Sequence, residues 1–241
     1  GKSNISLDFL KEISQYLDDF AGISVREKEA KQVLENYLKR EIDLVLDPTL
    51  LVSEKDWLDL SVSPLKEQPY IFVYLLGSNP NHKKLIKEYA KRKRLKIVYI
   101  PHVHFSYQRN DNGFADEELY AVGPREFLGL IQNATEVLTD SFHGCVFSII
   151  FKKQFCAFKR HQDDSNINMN SRLYTLFDSL QLRDRLIMDD FSSENMIDIM
   201  SSTIDYENVE RSLSVLRKQS LTYLMKTISE KTMKTCLERH I

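Results

Sequence analysis

The chain has 241 residues, enough for one large α/β domain or for one domain and part of a second. Hydrophobic residues make up 42% and charged residues 28%, which is typical of a globular protein with a buried core. The formal net charge of −2 argues against a nucleic-acid-binding protein, and the apolar runs are far shorter than the ~20 residues that a membrane-spanning helix needs.

The cysteines indicate a reducing compartment. Cys145, Cys156 and Cys236 are odd in number and share no metal-ligand spacing. We therefore expect reduced thiols in a cytoplasmic protein with no metal site. No sequence pattern calls for a cofactor.

The N-terminal segment, 1–68, alternates helical and strand-like patterns. Its apolar spacing predicts a helix, a strand, a second helix and a second strand, at 7–20, 23–25, 28–39 and 44–46. Residues 53–68 are broken by proline and predict a surface connection. We interpret 1–68 as the remainder of an N-terminal α/β lobe, which we expect to be incomplete in this chain.

The segment 69–241 has a clearer alternation of strands and helices. Apolar runs predict strands at 70–76, 97–100, 136–138 and 155–158, and periodic segments predict helices at 82–92, 124–132 and 146–151. Such alternation predicts a parallel, Rossmann-like sheet flanked by helices, followed here by a long helical tail at 206–238. The pattern of this tail is compatible with one continuous helix or with a break near Ser220. Ligands of such sheets bind outside the carboxyl ends of the strands.

The stretch TDSFHG, residues 139–144, lies at one of these strand-to-helix turns. Ser141 can cap the following helix, whose first amides and dipole favour an anion. His143 can donate or accept a proton near neutral pH, and Gly144 allows a close approach to the backbone. These residues alone fit an active site, or equally a histidine that caps its own helix and a glycine that serves packing.

Arg26 ends a predicted strand and precedes a helix. A cation at a helix N-terminus is electrostatically unfavourable, so helix stability does not explain it. A bound carboxylate or phosphate would explain it, because guanidinium binds such groups in bidentate fashion. The alternative is an arginine whose stem lies on the surface.

The motifs together resemble the polysaccharide pyruvyl transferase family over nearly the whole chain. The resemblance rests on their order and spacing: ISVRE at 23–27, DPTLL at 47–51, YIFVYLLG at 70–77, GPREFL at 123–128, TDSFHGCVFSIIFKKQF at 139–155 and NSR at 170–172. It implies an enzyme of exopolysaccharide biosynthesis with a GT-B-like fold of two lobes and the site in the cleft between them.

The resemblance also implies the substrates and their contacts. Phosphoenolpyruvate is the expected donor and a sugar of a cell-surface polysaccharide or its precursor is the expected acceptor. His143 is the expected catalytic residue, and Arg26 is expected to hold the donor. Some members carry arginine where Ser141 stands here, so other groups must meet the donor's charge; we predict substrate contacts for Ser141, Phe142, Gly144 and Arg172.

Two other functions stay open at this point. A nucleotide-sugar-dependent glycosyltransferase or epimerase of GT-B-like fold would use the same helix-terminus anion site. A non-catalytic lobe that binds a glycan or phosphate is the other alternative. Peripheral membrane association through a lipid-linked acceptor and homo-oligomerisation are also left open. His102 and His104 are expected to be loop or acceptor-cleft residues, since two histidines without a third ligand make a weak metal site.

Overall fold

The computed structural model describes residues 7–66, 68–77, 79–101, 113–160, 170–187 and 192–238. Within these residues the chain forms two compact units. The sheet unit comprises the described parts of 52–160 and 181–206. The helical unit comprises 7–51, 170–180 and 207–238.

The sheet unit contains six strands that pair in parallel throughout. In chain order they are β3 (Tyr70–Tyr74), β4 (Lys96–Tyr99), β5 (Glu117–Glu118), β6 (Glu136–Thr139), β7 (Gln154–Phe158) and β8 (Leu186–Ile187). Their order across the sheet is β5-β4-β3-β6-β7-β8. From β3 the chain adds β4 and then β5 on one side of the sheet. It then crosses back and adds β6, β7 and β8 on the other side of β3. This is the Rossmann order, and the direction reverses between β3 and β6.

The central strands are buried along nearly their whole length. The first four residues of β3 and all four of β6 are buried, as are residues 97–99 of β4 and 155–158 of β7. A parallel sheet covered on both faces by helices requires such continuous apolar runs. The predicted α/β, Rossmann-like fold class is confirmed. The short strands β5 and β8 were not predicted, because two residues carry no detectable period.

Five α-helices, and a 3₁₀-helix at Arg183–Arg185, belong to the sheet unit within its described residues. The α-helices are α3 (Glu54–Leu60), α4 (Pro80–Lys93), α5 (Pro124–Asn133), α6 (Phe142–Ile150) and α8 (Ser193–Ser201). The prediction of an irregular connection at 53–68 is wrong for α3. Ser53 caps this helix by accepting a hydrogen bond from the Asp56 amide. Gly129 lets α5 approach the chain at Val62, because a Cβ there would lie 2.1 Å from the Val62 carbonyl oxygen.

The helical unit pairs two short parallel strands, β1 (Ser24–Val25) and β2 (Asp43–Leu44). Its helices are α1 (Leu7–Leu17), α2 (Lys28–Leu38), α7 (Ser171–Leu180) and α9 from residue 207 onward, with a 3₁₀-helix at Pro48–Leu51. The tail helix α9 (Tyr206–Glu238) is continuous through Ser220. The Ser220 hydroxyl donates to the Leu216 carbonyl and accepts from the Leu46 amide, so both bonds fit an unbroken helix.

The units do not follow the predicted boundary between residues 68 and 69. Residues 52–66 lie in the sheet unit, where α3 packs against α5. The tail helix and α7 lie with the N-terminal segment. The assignment of 1–68 and 69–241 to two lobes stays a prediction. None of the helices in the described part of the chain is both long and apolar enough to cross a bilayer.

Candidate active site

The carboxyl ends of β3 and β6 meet where the strand order reverses, and Asp140 joins them. Its carboxylate accepts hydrogen bonds from the amides of Leu76 and Gly77, both at 2.7 Å. The guanidinium of Arg160, which follows β7, donates to the Asp140 carbonyl at 3.1 Å and lies 3.6 Å from its carboxylate. Asp140 is buried, so these charge-assisted bonds fix three strand ends firmly.

Thr139 fixes the same turn from the strand side. Its hydroxyl donates to the Tyr74 carbonyl at 2.6 Å and accepts from the Ser141 amide at 3.0 Å. The hydroxyl thereby links β3 to the residue that begins the next helix. The position of the turn is thus set by buried hydrogen bonds, and it is rigid before any ligand binds.

Ser141 caps α6, as predicted: its hydroxyl accepts from the Gly144 amide at 3.3 Å. The Cys145 amide donates to the Ser141 carbonyl at 3.0 Å. These two amides are therefore engaged within the helix start, and the predicted anion cradle of residues 141–145 loses them as donors. The substrate contacts predicted for Ser141 and Phe142, both buried here, stay predictions.

Gly144 serves close packing in this structure. A Cβ at this position would lie 2.5 Å from the Thr139 hydroxyl oxygen and 3.0 Å from its methyl carbon. Those atoms are held in place by the bonds of Thr139 to β3. Glycine is therefore required for the helix to begin this close to β6. A contact of Gly144 with substrate stays a prediction.

His143 is exposed, in contrast to the buried residues on either side of it. Its ring meets the Phe142 ring edge-on, with centroids 5.4 Å apart. The imidazole lines a cavity of about 540 Å³ within the sheet unit, at the carboxyl ends of β3, β4 and β6. His143 therefore has the solvent and ligand access that proton transfer requires.

We call this space the aromatic cavity. Its lining residues come from strand ends and from α3, α5 and α6: Trp57, Tyr74, Leu76, Ile100, Val122, Gly123, Pro124, Phe127, Leu128, Ser141, His143 and Phe147. Trp57 and Phe147 meet at 89° with centroids 5.1 Å apart, and Tyr74 meets Phe127 at 68° and 5.1 Å. Burial raises the pKa of the Tyr74 hydroxyl, Asp140 raises it further and Arg160 opposes this, so the phenol stays protonated at neutral pH.

Arg26 lies in the helical unit, in a charged network at the turn from β1 to α2. Its guanidinium forms a salt bridge with Asp47. Burial opposes ionisation of the Asp47 carboxyl, but hydrogen bonds from Thr49 and the Arg26 guanidinium outweigh it and lower the Asp47 pKa. A partner anion for Arg26 thus exists within the chain, while its role in holding the donor stays a prediction.

The N-terminus of α7 lies beside the same turn. The Ser171 hydroxyl donates to the Glu27 carboxylate, and the Thr175 hydroxyl accepts from the Lys28 amide at 3.2 Å. Arg172 is the second residue of α7. The structure therefore brings Arg26 and the segment that carries Arg172 into one part of the helical unit. The substrate contact predicted for Arg172 stays a prediction.

Sequence reasoning missed Asp140 and the aromatic lining residues Trp57, Tyr74 and Phe127. The signal for Asp140 was present, since an acid directly after a buried strand needs hydrogen-bond partners. The aromatic residues gave no signal, because a ring in a core and a ring in a cavity look alike in sequence. His102 and His104 lie outside the described residues. Within the described ranges, histidine, cysteine, aspartate and glutamate side chains form no cluster of three or more that could hold a metal ion.

Solved structures with a similar fold include sugar-nucleotide enzymes. The UDP-GlcNAc 2-epimerase of Methanocaldococcus jannaschii, solved with UDP-GlcNAc and UDP, is 15% identical with a TM-score of 0.49; the match covers 81% of this chain and 60% of that one. A Listeria monocytogenes protein assigned as a UDP-N-acetylglucosamine 2-epimerase is 10% identical with a TM-score of 0.52, over 85% and 59%. The chain thus spans less than two thirds of the length of either, and the second match supports the GT-B-like fold class.

The family comparison is more specific. No curated protein matches the chain. The model of the family described as polysaccharide pyruvyl transferase matches residues 1–162, which contain Arg26, Asp140 and His143. This match extends over more than half of the sequence and includes the whole strand-to-helix turn that supports the aromatic cavity. The chain belongs to the polysaccharide pyruvyl transferase family.

Proposed function

We propose that the chain takes part in transfer of a pyruvyl group from phosphoenolpyruvate to a sugar of a cell-surface polysaccharide or its precursor. The observation that supports this most is the exposed imidazole of His143, held by a rigid turn at the mouth of the aromatic cavity. Family membership supplies the reaction class, and the position of His143 supplies a group able to move protons.

The reaction balances with proton transfers alone. Protonation of the methylene carbon of phosphoenolpyruvate makes its central carbon electrophilic, and a sugar hydroxyl attacks that carbon and loses its proton. The bond from this carbon to the phosphate oxygen then breaks, and a second hydroxyl closes the cyclic ketal. One hydroxyl proton replaces the proton consumed at the methylene carbon, and the other leaves with phosphate.

His143 is the proposed general acid and base for these transfers. An imidazole near neutral pH has comparable populations of both protonation states, so one residue can take a proton from a hydroxyl and deliver one to carbon. Positioned proton transfer of this kind contributes about 10²–10⁴ in rate. The Asp140 and Thr139 bonds keep the backbone of His143 in place during the reaction.

Donor binding is assigned to cations, because phosphoenolpyruvate carries a phosphate and a carboxylate. Arg26 and Arg172 are the proposed donor contacts. Guanidinium groups bind both anions in bidentate fashion, which supports arginine over lysine at these positions. The Arg26 salt bridge with Asp47 orients the guanidinium before the donor arrives.

Phosphate release tests the proposal. We expect inorganic phosphate to appear from phosphoenolpyruvate only when a free or lipid-linked glycan acceptor is also present. In thermal-shift measurements, phosphoenolpyruvate should stabilise the protein, by about 2.7 kcal/mol at a concentration 100 times Kd. Stabilisation by UDP or a UDP-sugar alone, without phosphate release, would instead identify a nucleotide-sugar enzyme.

A further inference from the structure

We propose that the aromatic cavity is the acceptor subsite and takes one uncharged pyranose ring, with Trp57 and Phe127 against the apolar face of the sugar. This assignment rests on the proposed function, and it names the part of the site that receives the glycan. The donor anion then binds outside the aromatic cavity.

Charge is the first argument. Among the described residues that line the aromatic cavity, none is aspartate, glutamate, lysine or arginine. Moving an ionised group out of water without a partner costs several kcal/mol for each charge. The dipole of α6 contributes only ~0.3–1 kcal/mol toward an anion at the helix N-terminus. Among the described lining residues, His143 is the one side chain that can carry a positive charge. One imidazole and the helix dipole do not offset the desolvation of two anionic groups, so the cavity disfavours phosphoenolpyruvate and nucleoside diphosphates.

The rings supply the second argument. Phe147 lies between two of them, at 89° to Trp57 and 77° to Phe127, with centroid distances of 5.1 and 6.2 Å. Trp57 and Phe127 remain partly accessible, whereas Phe147 is buried beneath them. Edge-to-face contacts hold these rings rigidly, so the accessible ones form preorganised apolar walls. The C–H face of a pyranose ring suits such a wall.

Polar groups supply the third argument. His143 and Tyr74 both line the aromatic cavity. The Tyr74 pKa lies above its ordinary 10.0, so its hydroxyl is protonated at neutral pH and able to donate a hydrogen bond. A small number of placed polar groups in an otherwise apolar space is typical of sites for small neutral ligands. The volume of about 540 Å³ lies within the usual range for them. Trp57 and His143 line the same cavity, so a sugar bound there has both an apolar wall and a proton-transfer group within one site.

The single tryptophan of the chain makes the cavity directly observable, because Trp57 lines it. We expect methyl pyranosides of glucose, galactose, mannose and N-acetylglucosamine, titrated one by one, to include at least one that shifts or quenches the Trp57 fluorescence. UDP and phosphoenolpyruvate should leave the emission unchanged when titrated alone. A response to UDP with none to any pyranoside would overturn the assignment in favour of a nucleotide base, and silence toward every pyranoside would also overturn it.

Steady-state kinetics separates acceptor from donor. Trp57→Leu keeps an apolar side chain but removes the ring, so we expect KM for the glycan acceptor to rise about five- to tenfold while KM for phosphoenolpyruvate stays unchanged. Leu60→Ala is the matched control, since Leu60 is on the same helix, is 47% exposed and does not line the cavity. An increase confined to KM for phosphoenolpyruvate would contradict the assignment.

The two proposals fail in different ways. The fluorescence titration needs no turnover, so it reports on the aromatic cavity even if the chain releases no phosphate. Loss of phosphate release with an intact pyranoside response would remove the proposed reaction and keep the sugar site. Phosphate release without any effect of Trp57→Leu on KM for the acceptor would keep the proposed reaction and remove the sugar site.

Discussion

The sheet unit and the helical unit surround their predicted functional residues with different chemistry. In the sheet unit, His143 lines a cavity of aromatic and aliphatic side chains. In the helical unit, Arg26 lies in a network of charged and hydroxyl groups that includes Asp47 and Glu27. The first environment favours neutral ligand groups, whereas the second contains a guanidinium already paired with a carboxylate of the chain. The proposed function places the uncharged acceptor in the first and requires the anionic donor to displace Asp47 from Arg26 in the second.

The two environments also differ in how firmly they are held. The turn before His143 is fixed by hydrogen bonds of Asp140 and Thr139, both of which are buried. The Arg26 guanidinium is one third exposed and forms a salt bridge with Asp47. A buried network keeps one geometry, whereas a partly exposed ion pair can exchange partners. We therefore expect the Arg26 guanidinium to exchange Asp47 for an incoming anion more readily than the turn before His143 changes its geometry.

The largest expected effect is that of replacing His143, in the sheet unit. His143→Ala should reduce phosphate release from phosphoenolpyruvate by a factor of about 10²–10⁴, because it removes the proton-transfer group. The ring is exposed, so its loss should leave the thermal unfolding temperature nearly unchanged. Phosphate release and unfolding should be measured on the same preparation. Full activity in this variant would remove His143 from the mechanism.

The next largest effect is expected from replacing Arg26, in the helical unit. Arg26→Gln should raise KM for phosphoenolpyruvate about 10- to 100-fold, because it removes a charge-assisted hydrogen bond worth ~1.5–3 kcal/mol. KM for the acceptor should not change. Arg211→Gln is the matched control, since it removes the same charge from an exposed position of α9 in the same unit. Equal effects of the two variants would show that Arg26 contributes only net charge.

A third effect concerns the rigidity of the turn. Gly144→Ala should lower the free energy of unfolding, because overpacking against Thr139 costs ~1–3 kcal/mol and the better helix propensity of alanine returns at most about 1. Chemical denaturation measures the difference. Adding Thr139→Ala should relieve the clash, so the double variant should lose less than the sum of the two single losses. Strict additivity would mean that the helix start adjusts to the added methyl group.

The sequence predicted the sheet better than the site. The apolar runs of β3 and β6 are long enough to reveal a buried parallel sheet, and Ser141 was recognisable as a helix cap from its residue type and position. The burial of Asp140 and the packing of Gly144 depend on which strands are neighbours. Strand order follows from tertiary contacts, so the local pattern at 139–144 could not distinguish a packing glycine from a ligand-binding one.

The tail helix and α3 also show that a local sequence pattern does not reveal tertiary contacts. α3 is seven residues long, too short for a periodic signal, and Ser53 as its cap was the only local indication. The period of α9 predicted a long helix correctly but carried no information on its partners. Its membership in the helical unit arises from contacts with residues far earlier in the chain, such as that of Tyr223 with Gly22. Trp57 lies on α3 and lines the aromatic cavity. Because α3 was not predicted, Trp57 was not identified from the sequence as a residue of the site.

The smallest expected effect is the pH dependence of the Arg26–Asp47 pair. The Asp47 pKa in the folded chain is lowered from its ordinary 3.8. A lowered pKa stabilises the fold above the unfolded-state value, and this contribution is lost as the pH falls through the folded-state value. Asp47→Asn keeps an oxygen that can accept from the Thr49 amide but removes the charge and the oxygen that accepts from Arg26, so it tests the ion pair. We expect it to lower the free energy of unfolding by up to about 1 kcal/mol at pH 7, a value suited to a partly exposed pair.

That difference between Asp47→Asn and the unchanged chain should begin to shrink as the pH falls below 3.8 and should vanish below the lowered folded-state pKa of Asp47, where the carboxyl is neutral in both states. Urea denaturation at several pH values measures it. Asp43→Asn, which removes the same charge from an exposed residue of β2, gives the background effect of net charge. If Arg26 exchanges Asp47 for a bound anion, phosphoenolpyruvate should raise the Asp47 pKa toward 3.8 and reduce this pH dependence. An unchanged pH dependence at saturating phosphoenolpyruvate would mean that Arg26 stays with Asp47, and the contrast between a fixed neutral cavity and an exchangeable ion pair would no longer hold.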